Sequence, residues 1–303
     1  RETDMRNTFL NGSNLRLADL GEADLSKADL SHSNLARASL IGTKLRGSVL
    51  TSANLGKADF READLSSAEL SGANMAKINL RRSYLSGADL TKAHLTEAVL
   101  SRADLSDATL LSANLNQASL REAFLSGADL TEADLQSADL VGADLTDAVL
   151  INSNLTRAAL TGAILDGADL SGANLSKADL AGANLSGANL TNSSLFASNF
   201  ANADLSGANL HKADLSEANL RGVNLDRADL SDTDLTNAVL RKAVLTGANF
   251  TNAKLTGIDW SGADLTDVDL SNSELTTDDV ARSILCGTKL PWGEENRNCH
   301  GSQ

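Results

Sequence analysis

An all-β solenoid is what this 303-residue sequence predicts, on three observations. A large apolar residue falls on every fifth position from Met5 to Leu275 without insertion or deletion; 49 of these 55 positions are Leu, the rest being Met5, Phe60, Met75, Phe200, Phe250 and Trp260. A small residue stands two places before all but four of them, Ala in 39 cases, with Asp or Asn in between in 36. Of the 22 glycines, 17 sit two places after the large residue, for example Gly12, Gly72, Gly127, Gly182 and Gly262.

A period of five excludes an amphipathic helix. At about 100° per residue each step of five turns Leu by about 140°, which scatters it around the cylinder. Strand alternation fits instead. With the large residue called i, positions i−2 and i face one side and i−1 the other. Positions i+1 and i+2 are mostly Ser, Thr, Gly, Lys, Arg, Asn or Glu, which suits a corner turned to water. Each pentapeptide is then three residues of wall and two of corner. Recurrent Gly at i+2 predicts corner angles that tolerate or prefer positive φ. Lys57 and Glu97 at the same site show that Gly is favoured there and not obligatory. Pro291 is the single proline, as expected where backbone N–H groups are needed as ladder donors.

The recurring A-(D/N)-L-x-x unit, as in Ala18-Asp19-Leu20 and Ala173-Asn174-Leu175, resembles the pentapeptide-repeat proteins over about nine-tenths of the chain. That resemblance implies a right-handed quadrilateral parallel β-helix, four pentapeptides to a coil, with i and i−2 inward. Nearly 14 coils would follow, as a rod roughly 65 Å long at about 4.8 Å per coil. The oversized i−2 residues Ile78, Val223, Ile258 and Val268 should bulge the wall locally or shift the packing. The expected division is residues 1–275 as β-helix and 276–303 as a C-terminal cap and tail.

At the N-terminal end no amphipathic segment precedes the first coil. Solenoid ends need cover, so either a preceding cap is missing or this end meets a partner or another copy, end to end. Within the rod, residues 20 apart should stack, which gives each wall its own charge. The walls through Leu25 and through Leu30 each sum to −7, those through Leu15 and Leu20 to +1 and 0, against a net −14 for the chain. The surface is therefore sided. On the wall through Leu15, Asn14, Asn34, Asn54 and Asn74 form an Asn ladder beside the basic column Arg37, Lys57 and Lys77. Stacked amides that stabilise the coil, as in cross-β stacks, are favoured there over a binding site. On the wall through Leu25, the outward column alternates Tyr84, Asp104, Phe124, Asp144 and Ile164, a candidate interaction surface for a basic-apolar partner, with drift on a tolerant surface as the alternative.

After Leu275 the spacing changes. Thr276-Thr277-Asp278-Asp279 supplies N-cap and first-turn residues, Val280, Ile284 and Leu285 follow at helical spacing, and Gly287 can end the element, which predicts a short capping helix. Cys286 and Cys299 lie 13 positions apart with a turn between, a candidate disulfide worth roughly 3 kcal/mol by loop closure. Cys-containing C-terminal ends also occur in cyanobacterial pentapeptide-repeat proteins, which this tail resembles. A pair argues for periplasm or thylakoid lumen, two free thiols for cytosol.

Catalytic chemistry is not indicated. His32, His94, His211 and His300 are far apart and without metal-ligand spacing, so no metal or cofactor is expected. The periodic carboxylates face water, where their pKa cannot move far. No phosphate-binding glycine motif occurs, and no apolar run is long enough to cross a membrane. The expected function is a non-enzymatic structural and interaction rod offering its acidic side to a protein partner, without direct nucleic-acid binding. The alternative, which the family resemblance implies, is mimicry of DNA toward a topoisomerase such as gyrase, as in some quinolone-resistance members; this chain departs from them in lacking a loop that interrupts the repeats and in its shorter C-terminal cap. Duplex DNA of equal length carries about 38 charges at one per roughly 1.7 Å, against the net 14 here.

Overall fold

The computed structural model describes residues 3–299, in two compact units, Arg1–Ala159 and Leu160–Gln303. Each unit is built from the same coil, and the backbone shows why five residues suffice. The N–H of most large residues donates to the carbonyl 19 positions on, as from Leu25 to Lys44 at 2.7 Å, and the N–H at i−1 donates back, as from Asn34 to Ser13 at 2.9 Å. Isolated parallel bridges therefore join residues 20 apart, Asp24 to Lys44 and Lys44 to Asp64 in the first unit, Asn184 to Asp204 in the second. Four pentapeptides thus complete one turn. The fold is a parallel β-helix without α-helix among the described residues.

Corners obey one rule. The N–H at i+3 closes on the carbonyl at i, as from Ala28 to Leu25 at 3.0 Å. From Asn7 to Asp267 the i+2 residue is left-handed whether or not it is Gly: φ is 64° at Gly182, 60° at Lys57 and 57° at Glu97. Only the second central residue has positive φ, which is the type II turn signature. Gly182 has nothing within 4 Å of the position a Cβ would take, so its substitution tests backbone strain alone. Gly182→Ala should cost about 1 kcal/mol in urea unfolding, with Lys57→Gly neutral or stabilising. A neutral Gly182→Ala would show that the corner is not strained for L residues.

Asp and Asn recur at i−1 because their Oδ1 accepts the N–H two residues on, at the start of the corner. Asp29 accepts from Ser31 at 2.9 Å and Asn154 from Thr156 at 3.1 Å. Inside, the Leu column and the i−2 alanines are fully buried through most of both units. Where Ser replaces Ala at i−2 its hydroxyl is mostly satisfied locally, Ser33 Oγ donating to the Leu30 carbonyl at 2.6 Å, with Ser13 Oγ, buried and unpartnered among the described residues, an exception. The expected bulges do not appear at Ile78 or Val223, both fully buried, with Val99 N–H on the Ile78 carbonyl and Val244 N–H on that of Val223 at 2.9 Å.

The expected capping helix is absent. Residues 276–283 form successive tight turns closed three residues apart, such as Asp279 N–H to the Thr276 carbonyl at 3.2 Å. The period of five in fact runs on: Val280, Leu285 and Leu290 are buried, and Ile284 and Lys289 bridge to Asp264 and Asp269 as any i−1 residue does. Val280, Ile284 and Leu285 fit helical spacing equally well, but Ile284 N–H donates to the Ala263 carbonyl at 2.8 Å and so extends the ladder. Strand β1 (Leu285–Leu290) then pairs antiparallel with β2 (Gly293–Arg297), Leu290 opposite Gly293 and Lys289 opposite Glu294. Cys286 and Cys299 form a disulfide, Cα atoms 5.3 Å apart, that ties the end of this hairpin to its start.

Candidate interaction surface

In the first unit the ladder places Tyr84, Asp104, Phe124 and Asp144 on successive coils of one wall, bridged in that order. Being at i−1, their side chains point outward: Tyr84 is 54% and Phe124 52% exposed. Asp104 sits between them, half-buried, its Oδ1 accepting the Ser106 N–H at 3.0 Å. Asp144 repeats this with Thr146, whose N–H and hydroxyl both donate to it, at 3.0 and 2.7 Å. Ile164 belongs to the second unit, where it is also exposed.

A groove of about 530 Å³ runs between the two rings, lined by Arg82, Ser83, Tyr84, Arg102, Asp104, Ser106 and Phe124. Its neighbourhood differs from the acidic one that the wall sums predict. Arg82 and Arg102 belong to the corner of the preceding wall, two residues before Tyr84 and Asp104 in the chain, and they rim the groove. Sorting residues by wall hid them, although their place in the chain was a usable signal. Arg102 donates to Glu122 at 2.7 Å, and this bond holds the Glu122 carboxyl below its ordinary value and raises the guanidinium.

The Asn ladder is engaged along the stack. Asn74 Nδ2 donates to Asn54 Oδ1 at 3.1 Å and Asn54 Nδ2 to Asn34 Oδ1 at 3.3 Å, while these oxygens also accept the corner N–H groups of Gly56 and Ala36. Asn14 bridges to Asn34 through the backbone and accepts the Arg16 N–H. The same reach recurs in the second unit with Asp as acceptor, Asn199 to Asp179 at 2.8 Å. These amides bond along the stack.

Three surface carboxylates titrate low because donors converge on them. The hydroxyl and N–H of Ser26 do this to Asp24, those of Ser271 to Asp269, and a hydrogen bond from Arg6 brings Asp4 to about 2. Among the described residues no group of three or more His, Cys, Asp or Glu could hold a metal, and no helix is long and apolar enough to cross a membrane. His32, His94 and His211 lie on separate coils; His300 falls outside the described residues.

This geometry, four pentapeptides per turn around a Leu core, defines a class of β-solenoid, and comparison with known proteins names it. The family of pentapeptide repeats matches segments between residues 1 and 211, and a pentapeptide repeat region matches residues 212–278. The chain belongs to the pentapeptide-repeat family. Among solved structures it is similar to HetL from the cyanobacterium Nostoc, a protein involved in heterocyst differentiation regulation, at 33% identity over 86% of this chain and 89% of that one, TM-score 0.19. It is 40% identical to Rfr23 from the cyanobacterium Cyanothece over 28% of this chain, TM-score 0.28, and spans 58% of Rfr23's length. A pentapeptide-repeat protein from the Arabidopsis thaliana thylakoid lumen matches at 33% identity over 40% of this chain and 74% of that one, TM-score 0.17. No curated protein matches.

Proposed function

We propose that this protein is a non-enzymatic scaffold that presents the Tyr84–Phe124 face of its first unit to a partner protein. The observation that carries this is the pair of half-exposed aromatic rings flanking the 530 Å³ groove, in a column otherwise dominated by Asp and Asn. Exposed aromatics are a cost on a surface without a partner and a main source of energy on one that has a partner. The acidic walls on either side of the Leu25–Leu30 corner keep the rest of the surface soluble and repel polyanions. The disulfide between Cys286 and Cys299 favours an oxidising compartment.

Tyr84→Ser combined with Phe124→Ser should remove the partners captured by the wild-type chain in a pull-down, with the far-UV spectrum unchanged. An unchanged partner set would discard this face. The acidic excess is what favours the second reading, DNA mimicry toward gyrase, although its net 14 falls well short of a duplex. Loss of supercoiling activity in the presence of micromolar protein would establish that reading, and full activity would end it.

A further inference from the structure

We infer that the segment received by this face is acidic, a short peptide stretch in which one apolar or aromatic side chain seats between Tyr84 and Phe124 while flanking carboxylates engage Arg81 and Arg82. The inference rests on the reading above that the face is an interface, and adds the chemistry of the partner.

The reason is an arrangement of like charges. Because residues 20 apart stack, Arg81 lies one coil from Arg61 in one corner column, and Arg102 one coil from Arg82 in the next. Coils are about 4.8 Å apart, and like charges set opposite each other across a ladder are destabilising. The outer members find carboxylates of their own: Arg61 with Asp59 at 2.7 Å, Arg102 with Glu122 at 2.7 Å, and nearby Arg121 with Asp139 at 3.1 Å. For Arg81 and Arg82, both exposed, no carboxylate lies within 4.0 Å among the described residues. Stretches 78–82 and 98–102 hold three arginines and no acid, in a chain of net charge −14.

Two smaller depressions connect this corner to the groove. One of about 160 Å³ is lined by Arg61, Glu62, Arg81 and Arg82, the other, about 220 Å³, by Arg81, Val99, Arg102 and Arg121 among others. Arg82 and Arg102 are shared with the aromatic groove, so charge and apolar surface are continuous. Val99, 38% exposed, adds to the apolar part. Glu62, Asp104 and Glu122, the last already paired with Arg102, oppose an incoming anion. Asp104 forms the floor of the aromatic groove, which confines incoming carboxylates to the Arg81–Arg82 corner and leaves the ring slot to an uncharged side chain.

Size selects a peptide over a nucleic acid. From Arg61 to Arg121 the patch covers three coil spacings, about 14 Å, or four to five extended residues. A duplex would place about eight charges on that length and run on past it at either end over corners without a cation, Ile41-Gly42 and Val141-Gly142.

Fluorescence anisotropy on the full chain tests this with three labelled peptides: Asp-Glu-Phe-Glu-Asp, its amide twin Asn-Gln-Phe-Gln-Asn, and Lys-Arg-Phe-Arg-Lys. The acidic peptide should bind best, with affinity falling about tenfold in Arg81→Gln/Arg82→Gln, falling with added salt, and recovering in part in Arg81→Lys/Arg82→Lys. Equal binding of the acidic and amide peptides, preference for the basic one, or indifference to the glutamine variant would each overturn the inference. An oligothymidylate that binds through the same two arginines as tightly as the acidic peptide would overturn the choice of a peptide partner. Failure here with partner capture still lost in Tyr84→Ser/Phe124→Ser would leave the interface standing and reject only the acidic chemistry.

Discussion

Leu105→Asp should destabilise the first unit by at least about 4 kcal/mol, enough to abolish its cooperative unfolding transition. Leu105 is fully buried, as are Leu85 and Leu125 on the adjoining coils. An Asp there loses the transfer energy of a Leu side chain and buries a carboxylate without a cation, the combination that produces the largest single-residue effects. Conservative replacement should cost little. Met75 occupies the same inward position and is equally buried, so Leu105→Met is expected to lose under about 1.5 kcal/mol. Urea unfolding followed by far-UV circular dichroism measures both variants, and Trp260 fluorescence reports separately on the second unit. A loss below about 1 kcal/mol for Leu105→Asp would mean that the Leu column is not the core.

Removing the disulfide is the second large perturbation. Cys286→Ala with Cys299→Ala should lose about 3 kcal/mol through the freed loop. The loss should be concentrated in β1, β2 and the final turns, since solenoid stability is dominated by neighbours. Trp292, 38% exposed beside β2 with Nε1 donating to Glu295 at 3.1 Å, is a convenient fluorescence probe of that end. Protein isolated without reductant should show no mass increase on thiol alkylation. Two alkylated thiols would remove the disulfide, and with it the argument for an oxidising compartment.

Much of this architecture was legible in the sequence because each pentapeptide position has one physical task. Leu at i fills the core, Ala at i−2 lets the walls close, and Gly at i+2 marks a left-handed corner. Even the non-Gly corners were readable, since Lys57 and Glu97 share the column with glycines. The end of the repeat was harder. Val280, Ile284 and Leu285 satisfy a helical period and a period of five at once, and the choice depended on whether the Ile284 backbone joined the Asp264 ladder, a non-local contact. Oversized Ile78 and Val223 were accommodated without breaking the ladder, which residue size alone does not disclose.

At the candidate site the aromatic column was visible from arithmetic alone, because Tyr84 and Phe124 depart from the Asp/Asn rule at i−1. The arginine rim was not. Arg81 and Arg82 belong to one wall and Tyr84 to the next, and summing charge by wall averaged them with distant acids. A corner is a boundary between two sums, and it was at a corner that unlike chemistries met. Asp104 carries the opposite lesson: among many periodic carboxylates it has no distinguishing sequence signal, and only its place between two exposed rings sets it apart.

Site-specific photo-cross-linking tests the central claim, that this protein works through the Tyr84–Phe124 face, most directly. A benzophenone amino acid would replace Phe124 in one chain and His94, exposed on another wall of the same unit, in a second. The account predicts a discrete cross-linked partner from position 124, suppressed by Tyr84→Ser, and none from position 94. The same cross-links from both positions, or a partner captured only from position 94, would contradict it.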